Sequence, residues 1–246
     1  MFKHGCGRGG AAGAVVALGM TMAPGAALAC RFALVLAMDV SASVNDVDYR
    51  FQADGTAAAL QSPSVSAALL DPSSPPVAIA VFVWSGPRDQ DLVADWTLID
   101  SPDVLAALAD RIRAHPRKVA VSGRTAMGDA LLWGGALLSR APACDRQVVD
   151  LSTDGTYNAG TPPEAVRSSP AFRDITINAL AVAGGQVPDW RDGGTRETAL
   201  AAYLTRLVIR GPGAFVEIAR DYSDFERAMT RKLNRELAGM VIGQLP

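Results

Sequence analysis

Apolar side chains recur along this chain in two rhythms, and the alternation between them lays out the fold. Phe32 to Met38 is an unbroken apolar run of strand length. Residues 45–60 (NDVDYRFQADGTAAAL) are Ala-rich and predict a helix that Asn45 or Ser43 can cap. After the Pro/Ser-rich stretch SPSVSAALLDPSSPP, read as a turn, VAIAVFVW (77–84) is a second buried strand. LVADWTLI (92–99) alternates enough for an edge strand, so 77–99 reads as a hairpin. Ser101 caps a helix to about Arg113, with Val104, Leu105, Leu108 and Ile112 on its apolar side. A further helix runs from Thr125 or Ala126 to Ser139. QVVDLST (147–153), DITINALAV (174–182) and AFVEIA (214–219) are strands. Between and after them lie a short helix following Pro162 and Pro163, a helix over about 196–209, and a charged closing helix over 223–238. Strands that are apolar throughout, alternating with helices, predict a sheet covered on both faces. The expected fold is α/β, a Rossmann-like doubly wound, mostly parallel six-stranded sheet with one antiparallel edge strand.

The first 29 residues are set aside as an address. Lys3, His4 and Arg8 give a positive start, Ala11 to Ala27 is small and apolar, and Ala27-Leu28-Ala29 has the form of a cleavage site. The expected organisation is a signal peptide over 1–29, one domain over 30–240 and a short tail over 241–246, with a periplasmic or secreted product. A membrane anchor is disfavoured by the brevity and Gly/Ala content of the run, and no later stretch approaches a membrane span. Lipidation of Cys30 is the other alternative, with Ala27 standing where lipoprotein signals usually carry Leu. Cleavage would leave 21 basic against 25 acidic residues, a charge of −4, which gives no reason to expect nucleic acid as a partner. Cys6 leaves with the signal, and an even pair, Cys30 and Cys144, in an exported chain favours a disulfide.

Candidate chemistry sits where the strands end. In DVSAS, Asp39 and Ser41 leave the first strand at its carboxyl end and Ser43 opens the next helix, so three oxygen-bearing side chains can face one spot. Ligands of such sheets bind in the crevice beyond those ends. Thr125 in SGRTAMGDA and Asp154 in DLSTDGT reach the same rim. Hard oxygen donors of this kind suit Mg²⁺ or Mn²⁺ and not the softer metals. Each motif alone is weak, since Asp, Ser and Thr are ordinary capping and turn residues. Their joint placement carries the reading.

These residues resemble the von Willebrand factor A-type domains, whose D-x-S-x-S signature is matched by DVSAS and whose metal-ion-dependent adhesion site is completed by a Thr and an Asp matched here by Thr125 and Asp154. The resemblance covers about residues 31–238. More narrowly, the Cys before the first strand and the phrases WTLIDSP, GRTAMGDAL, NAG, RGPGAFV and RKLNRELAG resemble an exported bacterial A-type family catalogued as a domain of unknown function. The resemblance implies an exported adhesion-type module whose cation takes a carboxylate from a protein partner. Arg124, Tyr157, Asn158, Trp190 and Arg191 are the candidate partner-binding residues around it. It also implies that the strands following Cys30 and Cys144 are parallel neighbours, so that these two cysteines pair with each other.

Two other functions compete with this one. The first is a structural or scaffolding domain whose metal merely ties loops together, and the second is a metal-dependent hydrolase or phosphatase. His115 is the single histidine after the signal and is placed at a helix end, so a Ser-His-Asp hydrolase lacks its base, and no G-x-S-x-G elbow occurs. A haloacid-dehalogenase-type phosphatase requires a second Asp where Ser41 stands. No P-loop or dinucleotide glycine pattern follows the first strand. The expectation is therefore a binding module and not an enzyme, of unassigned oligomeric state.

Overall fold

The computed structural model describes residues 1–2, 30–117, 123–183 and 196–238. Its strands are β1 (Cys30–Asp39), β2 (Val77–Trp84), β3 (Gln90–Ile99), β4 (Cys144–Thr153), β5 (Ile175–Val182) and β6 (Val216–Ala219). The helices are α1 (Asp46–Gln61), α2 (Pro63–Leu69), α3 (Pro102–Ala114), α4 (Met127–Leu138), α5 (Pro163–Arg167), α6 (Arg196–Leu207) and α7 (Phe225–Ala238). The six strands lie in the order β3-β2-β1-β4-β5-β6. Only the β2–β3 pair is antiparallel, as the hairpin reading required.

β1 is central and apolar on both sides because both sides are covered. Phe32, Leu34, Leu36 and Met38 pack with residues of α1, α2, α3 and α7, such as Leu60, Val65, Leu108 and Leu233. Ala33, Val35 and Ala37 face α4, α5 and α6 through residues such as Leu131, Val166 and Leu204. Each large apolar side chain buried this way contributes roughly 1.5–3 kcal/mol. Gly55 lets α1 and α7 meet closely, since a Cβ there would lie 3.0 Å from the Glu226 nitrogen. No helix among the described residues is long and apolar enough to cross a membrane.

Several elements differ from the sequence reading. The Pro/Ser-rich turn contains α2, because Pro63 stands at the first helical position, where its missing N–H costs nothing. β4 begins three residues before Gln147, at Cys144, and β1 begins at Cys30, so both cysteines lie inside their strands. Asn45, not Ser43, caps α1, accepting from the Val47 and Asp48 nitrogens while Asp48 closes the capping box. Cys30 and Cys144 are register partners on adjacent parallel strands and are joined by a disulfide, with a Cα–Cα separation of 4.2 Å. The signal peptide, the 184–195 loop and the 241–246 tail lie outside the described residues.

Candidate metal centre

The carboxyl end of β1 lies between Trp84 at the end of β2 and Ser152 near the end of β4, so the next residues emerge on a rim shared by both neighbours. Asp39 is the last residue of β1 and is buried, at 1% exposure. One of its carboxylate oxygens accepts from the Ser41 nitrogen at 2.8 Å, and the other from the Thr153 hydroxyl at 2.6 Å. Gln52 of α1 donates to the Asp39 carbonyl at 2.8 Å and so fixes the strand end against the helix.

From Asp39 a polar chain crosses the rim. The hydroxyls of Ser41 and Ser43 are 3.2 Å apart, and the Ser43 hydroxyl donates to Asp154 at 2.6 Å. Asp154 follows β4 directly and is likewise 1% exposed. The Tyr222 hydroxyl also bonds the Asp154 carboxylate, which ties the segment before α7 to the site. Thr125 approaches on the 123–126 segment, which is attached to the turn after β1 by a 3.0 Å bond from the Ala42 nitrogen to the Gly123 carbonyl. Four of the five candidates thus form one hydrogen-bonded series, and Thr125 stands beside it on a neighbouring loop.

Electrostatics makes this rim unusual. Burial, reinforced by the charge of Asp154, pushes the Asp39 carboxyl up to about 7 despite the donors on both of its oxygens. Burial raises Asp154 as well, against hydrogen bonds from Ser43 and Tyr222. Burial and the nearby Asp154, Asp39 and Asp48 charges drive Tyr222 far above the ordinary phenol range. Two desolvated carboxylates facing a shared set of hydroxyls are what a divalent cation would relieve, and the all-oxygen donor set fits Mg²⁺ or Mn²⁺. Among the described residues no group of three His, Cys, Asp or Glu is placed to hold a metal ion, so a cation held here would complete its shell with hydroxyls and water.

The surrounding candidates divide. Arg124 is exposed and donates to the Asn158 carbonyl at 2.7 Å. Tyr157 is half-buried, its hydroxyl donating to the Gly160 carbonyl and its backbone nitrogen to the Tyr203 hydroxyl at 3.3 Å. Asn158 turns its side chain onto Thr125. Trp190 and Arg191 lie outside the described residues. His115, the one histidine outside the first 29 residues, bonds Tyr49 at 3.0 Å and Asp91 at 3.1 Å. Thr153 and Tyr222 are not legible in sequence as site residues: a β-branched Thr inside a strand reads as strand propensity, and Tyr222 is distant in sequence from everything it serves.

Comparison with known proteins bears on the fold that carries this rim. The von Willebrand factor type A structure from Catenulispora acidiphila is 18% identical, with a TM-score of 0.55 over 85% of this chain and 43% of that one. Proximal thread matrix protein 1 from the mussel byssus, in a structure with a zinc-occupied MIDAS motif, is 17% identical, with a TM-score of 0.59 over 85% of this chain and 48% of that one. The pilus adhesin SpaC of Lactobacillus rhamnosus GG is 15% identical, with a TM-score of 0.53 over 86% and 31%. This chain therefore spans about half the length, or less, of these proteins. Curated proteins give no match in sequence. The model of one family, described as Protein of unknown function (DUF1194), matches residues 29–241. The sheet order and the antiparallel edge are those of a von Willebrand factor A-like fold, and the chain belongs to the DUF1194 family.

Proposed function

We propose that this protein is an exported binding module of the adhesion type that engages an acidic group of a protein partner through a divalent cation held by Asp39, Ser41, Ser43, Thr125 and Asp154. The observation carrying this reading is the pair of buried carboxylates, Asp39 and Asp154, linked across the rim by the Ser41 and Ser43 hydroxyls. A bound Mg²⁺ or Mn²⁺ would supply an electrophilic position able to accept an outside carboxylate. The chain's own residues do the rest. Thr153 and the Ser41 nitrogen hold the Asp39 carboxylate in place, Ser43 and Tyr222 hold Asp154, and Gln52 anchors the strand end beneath them. The exposed guanidinium of Arg124, on the same rim, favours an anionic partner. The mussel and SpaC likenesses support a binding role over an enzymatic one, and the disulfide suits an oxidising compartment.

Saturating Mg²⁺ or Mn²⁺ is expected to raise the melting temperature of the wild type. At a hundredfold excess over Kd, preferential binding to the native state is worth about 2.7 kcal/mol, or about 5–11 °C for a domain of this size. Asp39→Ala and Asp154→Ala should each remove most of that rise, and an unchanged rise in both would sink the assignment. Capture of partners from periplasmic extract with Mg²⁺, repeated in EDTA, separates a binding module from a scaffold. Only the former loses a partner with the metal.

The rise should also depend on pH. In the metal-free protein the raised Asp39 carboxyl contributes stability that is full below its unfolded value and lost as pH climbs through about 7. Cation binding requires the ionised form, so protons compete with it below about 7. Melting scans should therefore show the Mg²⁺-induced shift shrinking steadily from about pH 8 to about pH 5.5. A shift that stays constant over that range would contradict direct or water-mediated use of Asp39.

A further inference from the structure

Thr125 is the one candidate ligand outside the Asp39–Ser41–Ser43–Asp154 series, and its hydroxyl has no local duty. The N-cap of α4 is Ala126, with no side-chain cap bond, so Thr125 is not there to start the helix. Yet the residue is buried, at 5% exposure. Its bonds converge on a single residue of the loop that follows Asp154. The Asn158 nitrogen donates to the Thr125 carbonyl at 3.1 Å. The Asn158 side-chain oxygen accepts from the Thr125 nitrogen at 2.9 Å. The Asn158 amide nitrogen donates to the Thr125 hydroxyl oxygen at 3.4 Å.

We propose that Asn158 is a positioning residue that sets the Thr125 hydroxyl for the cation, an inference that rests on the metal reading above. An amide at this position does what no other short side chain does, because one end accepts from a backbone N–H while the other donates to a hydroxyl. Alanine offers neither function and aspartate lacks the donor. Since the amide donates to it, the Thr125 oxygen keeps a second lone pair and its own proton for the rim. The loop carrying Asn158 is held from its far end as well. The Thr161 nitrogen donates to Asp129 of α4 at 2.7 Å, and Gly160, at φ 72°, passes so close that a Cβ would lie 1.9 Å from the same carboxylate. A side chain at Gly160 would part the loop from α4 and take Asn158 with it. Arg124 also donates to the Asn158 carbonyl. Groups that orient first ligands typically govern metal affinity by about 10–100-fold.

The test is Mn²⁺ affinity of the exported chain, by calorimetry or electron paramagnetic resonance, with melting in EDTA read alongside. Asn158→Ala should weaken Mn²⁺ about tenfold or more while lowering the EDTA melting temperature by only a few degrees, the cost of leaving the Thr125 N–H without its acceptor. In a Thr125→Ala background the same substitution should cost no further affinity, since a residue acting through Thr125 has nothing left to position. Wild-type Mn²⁺ affinity in Asn158→Ala, or losses that multiply in the double variant, would overturn the proposal and leave the metal site standing. Absence of Mn²⁺ binding by the wild type would overturn both. Should Asn158→Ala melt far below wild type in EDTA, Asn158→Ser keeps a short polar residue in the turn and carries the same expectation.

Discussion

Replacing Lys232 with Met is expected to destabilise the protein by about 3–5 kcal/mol at about pH 8. Lys232 lies on α7 and is fully buried, with its ammonium 2.5 Å from Asp150 of β4 and 2.7 Å from Glu236 one helical turn on. Burial alone would lower the Lys232 pKa, but the two carboxylates more than reverse this and hold it above the ordinary lysine value. Asp150 is pushed up to about 7 by burial and by Glu236, against the pull of Lys232. The cluster therefore holds two acids and one base, and removing the base strands both acids in a dry interior. Asn178 of β5 donates to Glu236 at 2.8 Å and its side-chain oxygen accepts from the Phe215 nitrogen at 3.1 Å, so the damage would reach the approach to β6.

The same cluster sets the pH dependence of that loss. Without Lys232 the folded-state pKa of Asp150 rises further. The penalty for keeping Asp150 ionised then applies at high pH and fades as it takes up a proton. Urea denaturation of Lys232→Met should show the deficit shrinking between about pH 8 and about pH 5. Glu236→Gln should cost much less than Lys232→Met, because it retains an oxygen for Lys232 and Asn178 and leaves Asp150 and Lys232 as a matched pair. Equal losses in the two variants, or a Lys232→Met deficit under about 1 kcal/mol, would show that the cluster is not an electrostatic anchor of α7.

How much of the molecule is legible in its sequence depends on how local each signal is. β1 and β2 are legible because a strand covered on both faces must be apolar throughout, and nothing in VAIAVFVW competes with that reading. DVSAS is legible as a candidate site only in company, because a carboxylate and two hydroxyls after a strand also suit caps and turns, and it is their joint placement with Thr125 and Asp154 at the strand ends that singles them out. α2 is hidden by composition: Pro63 and the serines around it read as a turn, although Pro at a first helical position is compatible with a helix. Lys232 and Glu236 read as part of a charged closing helix, because spacing along α7 does not reveal that this stripe meets Asp150 across the sheet face. Asp150 itself is the available signal, a lone acid inside QVVDLST with no partner in its own segment. Asn158 shows the same limit from the other side. Its place beside the rim is legible, whereas its bonds to Thr125 depend on loop geometry that no spacing rule encodes.

Cys144→Ser is expected to lower stability by about 4–5 kcal/mol while leaving the response to Mg²⁺ intact. The bridge joins residues 114 positions apart, so in the unfolded chain it closes a loop spanning β1 to β4 and removes much of that ensemble's freedom. By the chain-entropy model so long a loop is worth about 4.7 kcal/mol, equivalent to roughly 9–18 °C in melting temperature for a domain of this size. Cys30 and Cys144 are register partners on neighbouring strands, so the bridge joins residues that the sheet already places side by side. Cys30 begins β1 and Asp39 ends it, which at about 3.3 Å per residue puts the bridge and the polar rim about 30 Å apart. A reduced or Cys144→Ser protein should therefore melt earlier, yet rise by the same number of degrees when Mg²⁺ is added. Loss of that rise would mean that the strand ends communicate along β1. Reaction of both Cys30 and Cys144 with a thiol reagent in the unreduced, unfolded protein would mean that the bridge does not form.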